Sequence, residues 1–352
     1  MLSRIHRMEL PRVVVIGHDA IKILGKEVRA LGERRALVVS SETPLMVAGP
    51  DIKAALEGDG VEYEIMRIKK RSLQDDVDEI TSRLKSSGSQ LIIAIGGGRV
   101  IDAAKFAASK PPAKLFSVPT TASHDGICSP LVSLPSSERR YSFYAITPSE
   151  ILADTRLIAG APYRLTASGC GDIIAKYTAV KDWKLSHLLK GEYYGEYAAS
   201  LAEAAVSRVM ENGDLIRTGT EAGVRVVVEA LIHCGTIISI AGSSRPCSGS
   251  EHLFSHALDM IAEQPALHGE QVGVGTILMA YLHGAEWKLI RDTLRRVGAP
   301  TTCRELGIDV DTAVRALVAA HTIRPDRYTI LGERGLSVEA AKNLVIASEV
   351  AS

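Results

Sequence analysis

The sequence carries no net charge and offers no framework for disulfide bonds. Its 41 basic and 41 acidic side chains cancel, which argues against a surface that binds nucleic acid or another polyanion. The five cysteines are odd in number and contain no C-x-x-C pair. We therefore expect free thiols in a reducing compartment, and a cytoplasmic protein rather than a small disulfide-linked secreted one.

Long apolar runs and side-chain amides are also scarce. The first 17 residues contain no apolar region followed by a cleavage site. The most apolar run, residues 226–241, is broken by Glu229 and His233, so it predicts a buried helix and no integral membrane segment. Only two Asn and four Gln occur in 352 residues. Depletion of these heat-labile side chains is one mark of thermophilic proteins, although ordinary sequence drift also produces it.

Strand and helix patterns alternate through the first half of the chain. Runs with helical spacing occur at 19–31, 45–56 and 73–84, between the strands. Short β-branched or alternating runs predict strands at 12–17, 36–40, 61–68, 90–95, 115–119 and 151–154, with a hairpin from 131–133 and 141–145. This alternation is typical of an α/β, Rossmann-like domain with a parallel sheet covered by helices.

The second half of the chain is predicted to be helical. After Pro162 the strand signal largely stops. Helical spacing covers residues 167–189, 192–210, 221–241, 249–261, 270–288, 290–297, 311–321 and 338–350. The change in pattern near 155–162 predicts an α/β nucleotide-binding domain at 1–158 and an all-α C-terminal domain at 159–352.

A glycine turn follows the strand at 90–95 and leads directly into a helix. Gly96, Gly97 and Gly98 precede R-V-I-D-A-A-K. Glycines let a ligand approach the backbone, and a helix start offers free N–H groups, a combination that suits a pyrophosphate. The motif is not G-x-G-x-x-G, and a plain tight turn is an equal alternative. Asp102 and Lys105, in the first turns, could reach a ligand or face water.

A second polar loop follows the strand at 115–119. It reads T-T-A-S-H-D-G-I-C-S-P and lies at the predicted carboxyl edge of the sheet, where open α/β sheets bind their ligands. Asp125 is the one carboxylate in this loop. It is a candidate ligand contact, and an Asx turn before Gly126 is the alternative.

Three histidines and one aspartate of the second half are candidate metal ligands. His252 and His256 are one helical turn apart, and His268 opens the next helix beyond Pro265. Asp172 lies in a small, apolar segment, where burying a carboxylate is costly without a cation. An Asp at the first turn of a helix is the alternative. One carboxylate with two imidazoles suits Zn²⁺ and also Fe²⁺. This leaves His256 as a fourth ligand, a proton relay or a neighbour of the ligands.

Five motifs together resemble a known family. I-G-G-G-R-V-I-D-A-A-K, P-T-T-A-S-H-D-G, G-C-G-D, S-G-S-E-H-L-F-S-H-A-L and H-G-E-Q-V-G-V-G-T occur in this order. They resemble the metal-dependent polyol dehydrogenases of group III, which include glycerol dehydrogenase and, more distantly, dehydroquinate synthase and iron-containing alcohol dehydrogenases. The resemblance covers essentially the whole chain and is closest to the archaeal branch that acts on glycerol 1-phosphate.

The resemblance implies roles for matching residues. Asp172, His252 and His268 would hold the metal, while Asp125 and His256 would contact the substrate and act with Asp172 in catalysis. NAD or NADP would lie between the domains on one set of residues: Gly97, Gly98, Arg99, Val100, Ile101, Asp102, Thr120, Thr121, Ala122, Ser123 and Ser129.

The reaction implied by the resemblance is reversible reduction of a ketone. Dihydroxyacetone phosphate would receive a hydride from NAD(P)H and become sn-glycerol 1-phosphate, the backbone of archaeal-type ether phospholipids. The proton would come from solvent at the metal, from His256 or from a relay. We expect a homo-oligomer that binds this small substrate and no nucleic acid.

Two features of the sequence leave the choice between NAD and NADP and the phosphate-binding residues open. The strand at 36–40 ends in Ser40 and Ser41 before Glu42, which fits use of both NAD and NADP. No compact Lys/Arg cluster marks a phosphate site. The alternatives are a dehydrogenase for unphosphorylated glycerol, a lyase like dehydroquinate synthase, and a regulator that binds metal and nucleotide without turnover.

Overall fold

A parallel sheet of six strands organises the first half of the protein. The computed structural model describes residues 6–69, 72–135 and 140–352. The six strands lie in the order β1-β8-β5-β4-β2-β3, and all five neighbouring pairings are parallel. The strands are β1 (Val13–Gly17), β2 (Arg35–Ser40), β3 (Glu62–Arg67), β4 (Leu91–Gly96), β5 (Lys114–Pro119), β6 (Leu131–Pro135), β7 (Arg140–Tyr144) and β8 (Glu150–Asp154), of which β6 and β7 form a separate antiparallel hairpin.

The middle of this sheet is buried on both faces, which explains its uninterrupted apolar sequence. Every residue of β4 is buried. Ile92 and Ala94 point into one hydrophobic cluster, which continues into the helical half of the chain. Leu91, Ile93 and Ile95 point into a second cluster on the opposite face. The predicted strands are confirmed with shifts of one or two residues at their ends. The polar turn predicted between β6 and β7 lies mostly outside the described residues.

Helices cover both faces of the sheet. A 3₁₀ turn at Ala20–Ile23 leads into the first of four helices: α1 (Leu24–Ala30), α2 (Glu42–Gly58), α3 (Leu73–Ser87) and α4 (Gly98–Ser109). Helix α2 begins three residues before the predicted start, because Pro44 fits in a first turn, where its missing N–H is not needed. Helix α4 begins directly at the glycine turn, as predicted.

The rest of the chain is helical. The helices are α5 (Thr155–Ala159), α6 (Tyr163–Ile174), α7 (Lys176–Lys190), α8 (Glu196–Glu211), α9 (Gly213–Arg217), α10 (Glu221–Ala241), α11 (Ser250–Ile261), α12 (His268–Leu282), α13 (Trp287–Arg296), α14 (Cys303–Leu306), α15 (Val310–Ile323) and α16 (Val338–Ala347). By length and composition α10 could cross a membrane, but 72% of its most apolar window is buried inside the protein. It is therefore the core helix that the sequence predicts.

The helix ends predicted for this half shift by up to four residues, and two of the helix predictions were wrong in extent beyond that. The single helix predicted at 167–189 is divided at Ala175, where the N–H of Thr178 bonds to the Ala175 carbonyl in a tighter 3₁₀ turn. The helix predicted at 270–288 ends at Leu282, because Gly284 adopts a φ of +61° and the left-handed conformation ends a helix. The short helices α5, α9 and α14 were not predicted, since four or five residues carry too little periodicity.

Candidate active site

A cavity of about 320 Å³ brings the predicted site residues of both halves together. From the first half its wall contains the helix start after the glycine turn and the loop that follows β5. From the second half it contains the start of α11 and α12. The site residues predicted from the sequence that line it are Gly98, Arg99, Asp102, Asp125, Ser129, His252, His256 and His268.

Three donor side chains converge at one end of this cavity. One ligand atom from each of Asp172, His252 and His268 lies within 4.8 Å of the other two. The Nε2 atom of His252 is 3.7 Å from Oδ1 of Asp172, and the His252 and His268 ring centroids are 5.1 Å apart. One oxygen and two nitrogens that point at one spot form a donor set that fits a catalytic divalent metal.

Glycine contacts between helices bring Asp172 to the histidines. Asp172 lies in the last turn of α6, so the alternative of an aspartate in a first helical turn was wrong. A Cβ at Gly171 would lie 2.1 Å from the Gly269 carbonyl oxygen, and a Cβ at Gly269 would lie 1.8 Å from that of Ser168. Only glycines permit this approach of α6 and α12, which places Asp172 beside His268.

The two histidines of the donor set are oriented by hydrogen bonds at their other ring nitrogen. His252 Nδ1 is 2.8 Å from Oε1 of Glu251, and His268 Nδ1 is 3.3 Å from the Ser255 hydroxyl. Glu251 is itself held by the Gly249 N–H and the Thr178 hydroxyl. A carboxylate on the far side of a ligating imidazole fixes its tautomer and makes it a better ligand.

A buried lysine joins the two aspartates of the site. Lys176 Nζ lies 2.7 Å from Asp172 Oδ1 and 3.0 Å from Asp125 Oδ2. The Asp125 N–H donates to the other Asp172 oxygen at 2.8 Å. Burial opposes ionisation of Asp172, but Lys176 and the two histidines hold the pKa of its carboxyl well below the usual value. The carboxylate is therefore ionised, and these hydrogen bonds fix its orientation. Each oxygen has more than one lone pair, so it can still bind a cation.

His268 and His256 lie side by side at this end of the cavity but have different surroundings. Burial and the neighbouring His252 lower the pKa of His268 well below its usual value. His256 also faces the cavity, with its ring 5.9 Å from that of His268 and its Nδ1 3.8 Å from Asp259 Oδ2. Among the described residues the converging donor set holds only the aspartate and the other two histidines. His256 is thus placed to face a substrate.

The glycine turn lies directly under an imidazole of the opposite loop. A Cβ at Gly98 would lie 1.7 Å from Nε2 of His124, whose Nδ1 accepts the N–H of Gly126 at 3.0 Å. Any side chain at Gly98 would displace this ring. His124 also lines the cavity and was not selected from the sequence, because a lone histidine in a polar loop has no distinguishing spacing.

The remaining predicted cofactor residues lie around the turn or behind it. Thr120, Thr121 and Ser123 are half-buried at the carboxyl end of β5, and the Thr120 N–H bonds to the Gly96 carbonyl. Gly97 is the N-cap of α4. The side chains of Val100, Ile101 and Ala122 belong to the hydrophobic core. Cofactor contacts of these three residues remain predictions for their backbone atoms.

Three charged residues of the site have roles that the sequence did not reveal. Lys105 neither faces water nor reaches into the cavity, because its buried Nζ donates to the carbonyls of Gly126 and Leu131. Lys176 and Glu251 were not identified, although both adjoin selected motifs. An acidic residue next to a candidate ligand, and a lysine one turn after Asp172, are signals that could have identified them.

Comparisons with known proteins agree with this architecture. A family model described as iron-containing alcohol dehydrogenase matches residues 15–162. Among solved structures, a probable glycerol dehydrogenase from Sinorhizobium meliloti has a TM-score of 0.79 at 21% identity, with 98% of each chain covered. The glycerol dehydrogenase from Schizosaccharomyces pombe has a TM-score of 0.83 at 20% identity, covering 99% of this chain and 91% of its own.

The protein therefore has a fold of the glycerol dehydrogenase type, and it contains a candidate metal centre. Much closer relatives exist in sequence. A glycerol-1-phosphate dehydrogenase [NAD(P)+] from Thermococcus kodakarensis is 48% identical, with 97% of each chain covered, and one from Methanosarcina acetivorans is 47% identical over 98% of this chain and 97% of its own. The chain belongs to the glycerol-1-phosphate dehydrogenase family.

Proposed function

We propose that this protein is an oxidoreductase that interconverts dihydroxyacetone phosphate and sn-glycerol 1-phosphate with NAD(P)(H). The observation that carries the proposal is the convergence of Asp172, His252 and His268 on the cavity that also contains Gly98 and Arg99. A metal centre and a nucleotide-type helix start thus face the same space. The near full-length relatives bear the name of this activity. The product would serve as the backbone of archaeal-type ether phospholipids.

The metal that we propose is Zn²⁺, held by Asp172, His252 and His268. When bound, it supplies Lewis-acid polarisation of the substrate oxygen, while the nicotinamide supplies the hydride. The donor set fits Fe²⁺ as well, and the matching family model carries an iron description. Metal analysis of protein purified without added metal, followed by reconstitution with each ion, distinguishes the two. Activity restored by Fe²⁺ alone would contradict the zinc assignment.

The other residues bind and orient the reactants. Asp125 and His256 line the cavity beside the donor set, and we assign both to the substrate. The nucleotide lies on the turn and start of α4, from Gly97 to Asp102, and its nicotinamide side faces Thr120 to Ser123 and Ser129. Because Lys176 holds Asp125 at 3.0 Å, the Asp125 carboxylate is positioned before a substrate arrives.

Both nicotinamide cofactors fit the adenosine end of the proposed site. At the carboxyl edge of the sheet, Glu42 follows β2 and Arg67 ends β3. Arg67 Nη1 lies 3.5 Å from Glu42 Oε1. A carboxylate suits a ribose 2′-hydroxyl and an arginine suits a 2′-phosphate, so we propose dual use. Arg67→Ala should raise KM for NADPH and leave KM for NADH unchanged.

The decisive experiment identifies the product and its enantiomer. Purified protein with added Zn²⁺ should oxidise NADH in the presence of dihydroxyacetone phosphate and yield glycerol 1-phosphate. In the reverse direction it should accept glycerol 1-phosphate and reject glycerol 3-phosphate. Turnover of glycerol alone would indicate a glycerol dehydrogenase, and absence of turnover with a loaded metal would favour a binding protein.

A single substitution tests the proposed metal centre. His268→Ala should abolish metal binding and activity together, because only two donors remain. The first half of the chain should stay folded, since its sheet does not depend on this side chain. His233→Ala, in α10 outside the cavity, provides the matched control. A variant at His268 that is active and fully loaded with metal would contradict the ligand assignment.

A further inference from the structure

The loop between α10 and α11 forms one wall of the cavity. Ser244, Cys247 and Ser248 line it, and Ser248 lies one helical turn before the candidate ligand His252. In the proposed substrate the phosphate is only one carbon away from the reacting C2. A phosphate subsite must therefore lie on the wall of this same cavity, and this inference rests on the proposed function.

An arginine from a distant part of the chain holds this loop from behind. Arg327 follows α15, and its Nη1 donates to the Ser248 carbonyl at 2.6 Å. Its Nη2 donates to the Ser244 hydroxyl at 2.7 Å. Both acceptors belong to residues that line the cavity. The guanidinium thus places a positive charge behind the part of the wall that carries the two serines, without lining the cavity itself.

A second arginine, Arg245, lies in the loop itself and has buried N–H donors without partners in the described structure. Arg245 is almost fully buried, and its Nη2 donates to Glu192 and to the Tyr328 carbonyl at 2.7 and 2.9 Å. Its Nε and Nη1 atoms are buried and have no hydrogen-bond partner in the described structure. An unsatisfied buried donor is costly, and a buried arginine normally uses its whole fork on an anion.

The charges around these two arginines do not balance. Burial first, and then Arg324 and Arg245, lower the pKa of Arg327 to about 9. Asp326, 3.7 Å from Arg324, and Glu192, bonded to Arg245, are the facing carboxylates. Lys190 and Glu333 lie on the same side of Arg327 and pair with each other. Three guanidinium groups thus face two remaining carboxylates, and an added anion would stabilise the cluster.

Other cations at the cavity are already engaged. Lys176 bridges two aspartates, and Lys105 donates to two carbonyls. Arg99 Nη2 donates to Asp76 at 2.8 Å, and its place at the start of α4 puts it on the nucleotide side. Arg245 and Arg327, which lie behind the described wall, are therefore the cations best placed for a substrate anion.

We propose that Ser244 and Ser248, backed by the guanidinium groups of Arg245 and Arg327, form the subsite for the phosphate of the substrate. The serine hydroxyls are placed to donate to phosphate oxygens, and the arginines supply the charge. This assignment explains how the cavity can select a phosphorylated ketone without a run of basic residues in its wall, because the cations come from two segments that meet only in the fold.

The test compares a phosphorylated and an unphosphorylated ketone. Steady-state kinetics are measured with dihydroxyacetone phosphate and with dihydroxyacetone for the wild type, Arg327→Gln, Arg327→Lys and Ser248→Ala. We expect Arg327→Gln to raise KM for the phosphate ester about 10- to 100-fold, the scale of a lost charge-assisted hydrogen bond. kcat/KM for dihydroxyacetone should fall much less than kcat/KM for the phosphate ester, and Arg327→Lys should recover part of the loss. Arg225→Gln, an exposed arginine paired with Glu229, is the control.

Binding of inorganic phosphate tests the same subsite without turnover. Titration calorimetry should detect phosphate binding to the wild type and loss of binding in Arg327→Gln. Equal binding to both proteins, or equal loss of kcat/KM on both ketones, would overturn the subsite and leave Arg327 as a structural clamp. A wild type that prefers dihydroxyacetone would instead contradict the proposed function. Ser248→Ala, which leaves the clamp intact, should weaken phosphate binding severalfold.

Discussion

Replacing Gly171 with alanine tests the helix contact that assembles the metal centre. The new Cβ would lie 2.1 Å from the Gly269 carbonyl oxygen and 3.0 Å from its carbonyl carbon, whereas ordinary contact begins at 3.4 Å. The obstacle is backbone, so α6 and α12 must separate by about 1 Å. Asp172, the next residue, would move with α6, and metal ligation tolerates shifts of only about 0.2 Å.

The expected effects of Gly171→Ala are on stability and on metal affinity. Overpacking of this kind costs about 1–3 kcal/mol, and metal affinity should fall at least about 10- to 100-fold, as for a displaced partner of a ligand. Thermal unfolding with and without Zn²⁺ and competition with a chelator measure both quantities. The control is Gly49→Ala in α2, where a Cβ meets nothing within 4 Å.

The control should change stability little. Alanine in a helix interior is more favourable than glycine by about 0.5–1 kcal/mol, but Pro50 crowds a Cβ on the residue before it. Gly49→Ala should therefore move the unfolding temperature little and leave metal affinity unchanged. If Gly171→Ala behaved like Gly49→Ala in both measurements, the close approach of α6 and α12 would not be what positions Asp172, and the reasoning would be refuted.

Three further substitutions address the surroundings of the donor set. Glu251→Gln should lower metal affinity about 10- to 100-fold because His252 loses its carboxylate partner; an unchanged affinity in chelator competition would contradict this. Gly98→Ala should displace His124 and raise KM for NADH while metal content stays normal, so unchanged kinetics would argue against a nucleotide at this turn. Lys176→Met leaves the buried Asp172 and the half-buried Asp125 without their shared cation and should destabilise metal-free protein by about 3–5 kcal/mol. Denaturant titration should show a smaller loss with metal bound, and equal losses would count against a cation at this position.

Most of the fold could be predicted because local patterns determine it. A strand buried on both faces requires an apolar run such as β4, and a helix over a sheet requires apolar residues at helical spacing, as in α3. Errors arose where distant contacts decide the outcome. The division at Ala175 falls beside Lys176, whose partners include Asp125 from another segment. Helix periodicity contains no information about such a partner.

The candidate site was predicted in part for the same reason. His252 and His268 are visible as donors in a glycine-bounded helix pair, and Gly98 as the end of a strand-to-helix turn. Lys176 and Arg327 were not visible, because a single basic residue in a helix or loop is usually exposed to solvent. Their burial against carboxylates or carbonyls follows only from the packing around them.

The sequence by itself determined the types of donor, their order along the chain and the helices and strands that carry them, because these depend on short-range spacing. Only the tertiary structure decided the rest. It places β8 between β1 and β5, brings Asp172 to the histidines through a glycine contact, and sets Arg327 behind the loop at Ser248. The last two of these relations join residues 79 to 96 positions apart, and chain spacing over such separations carries no information about distance.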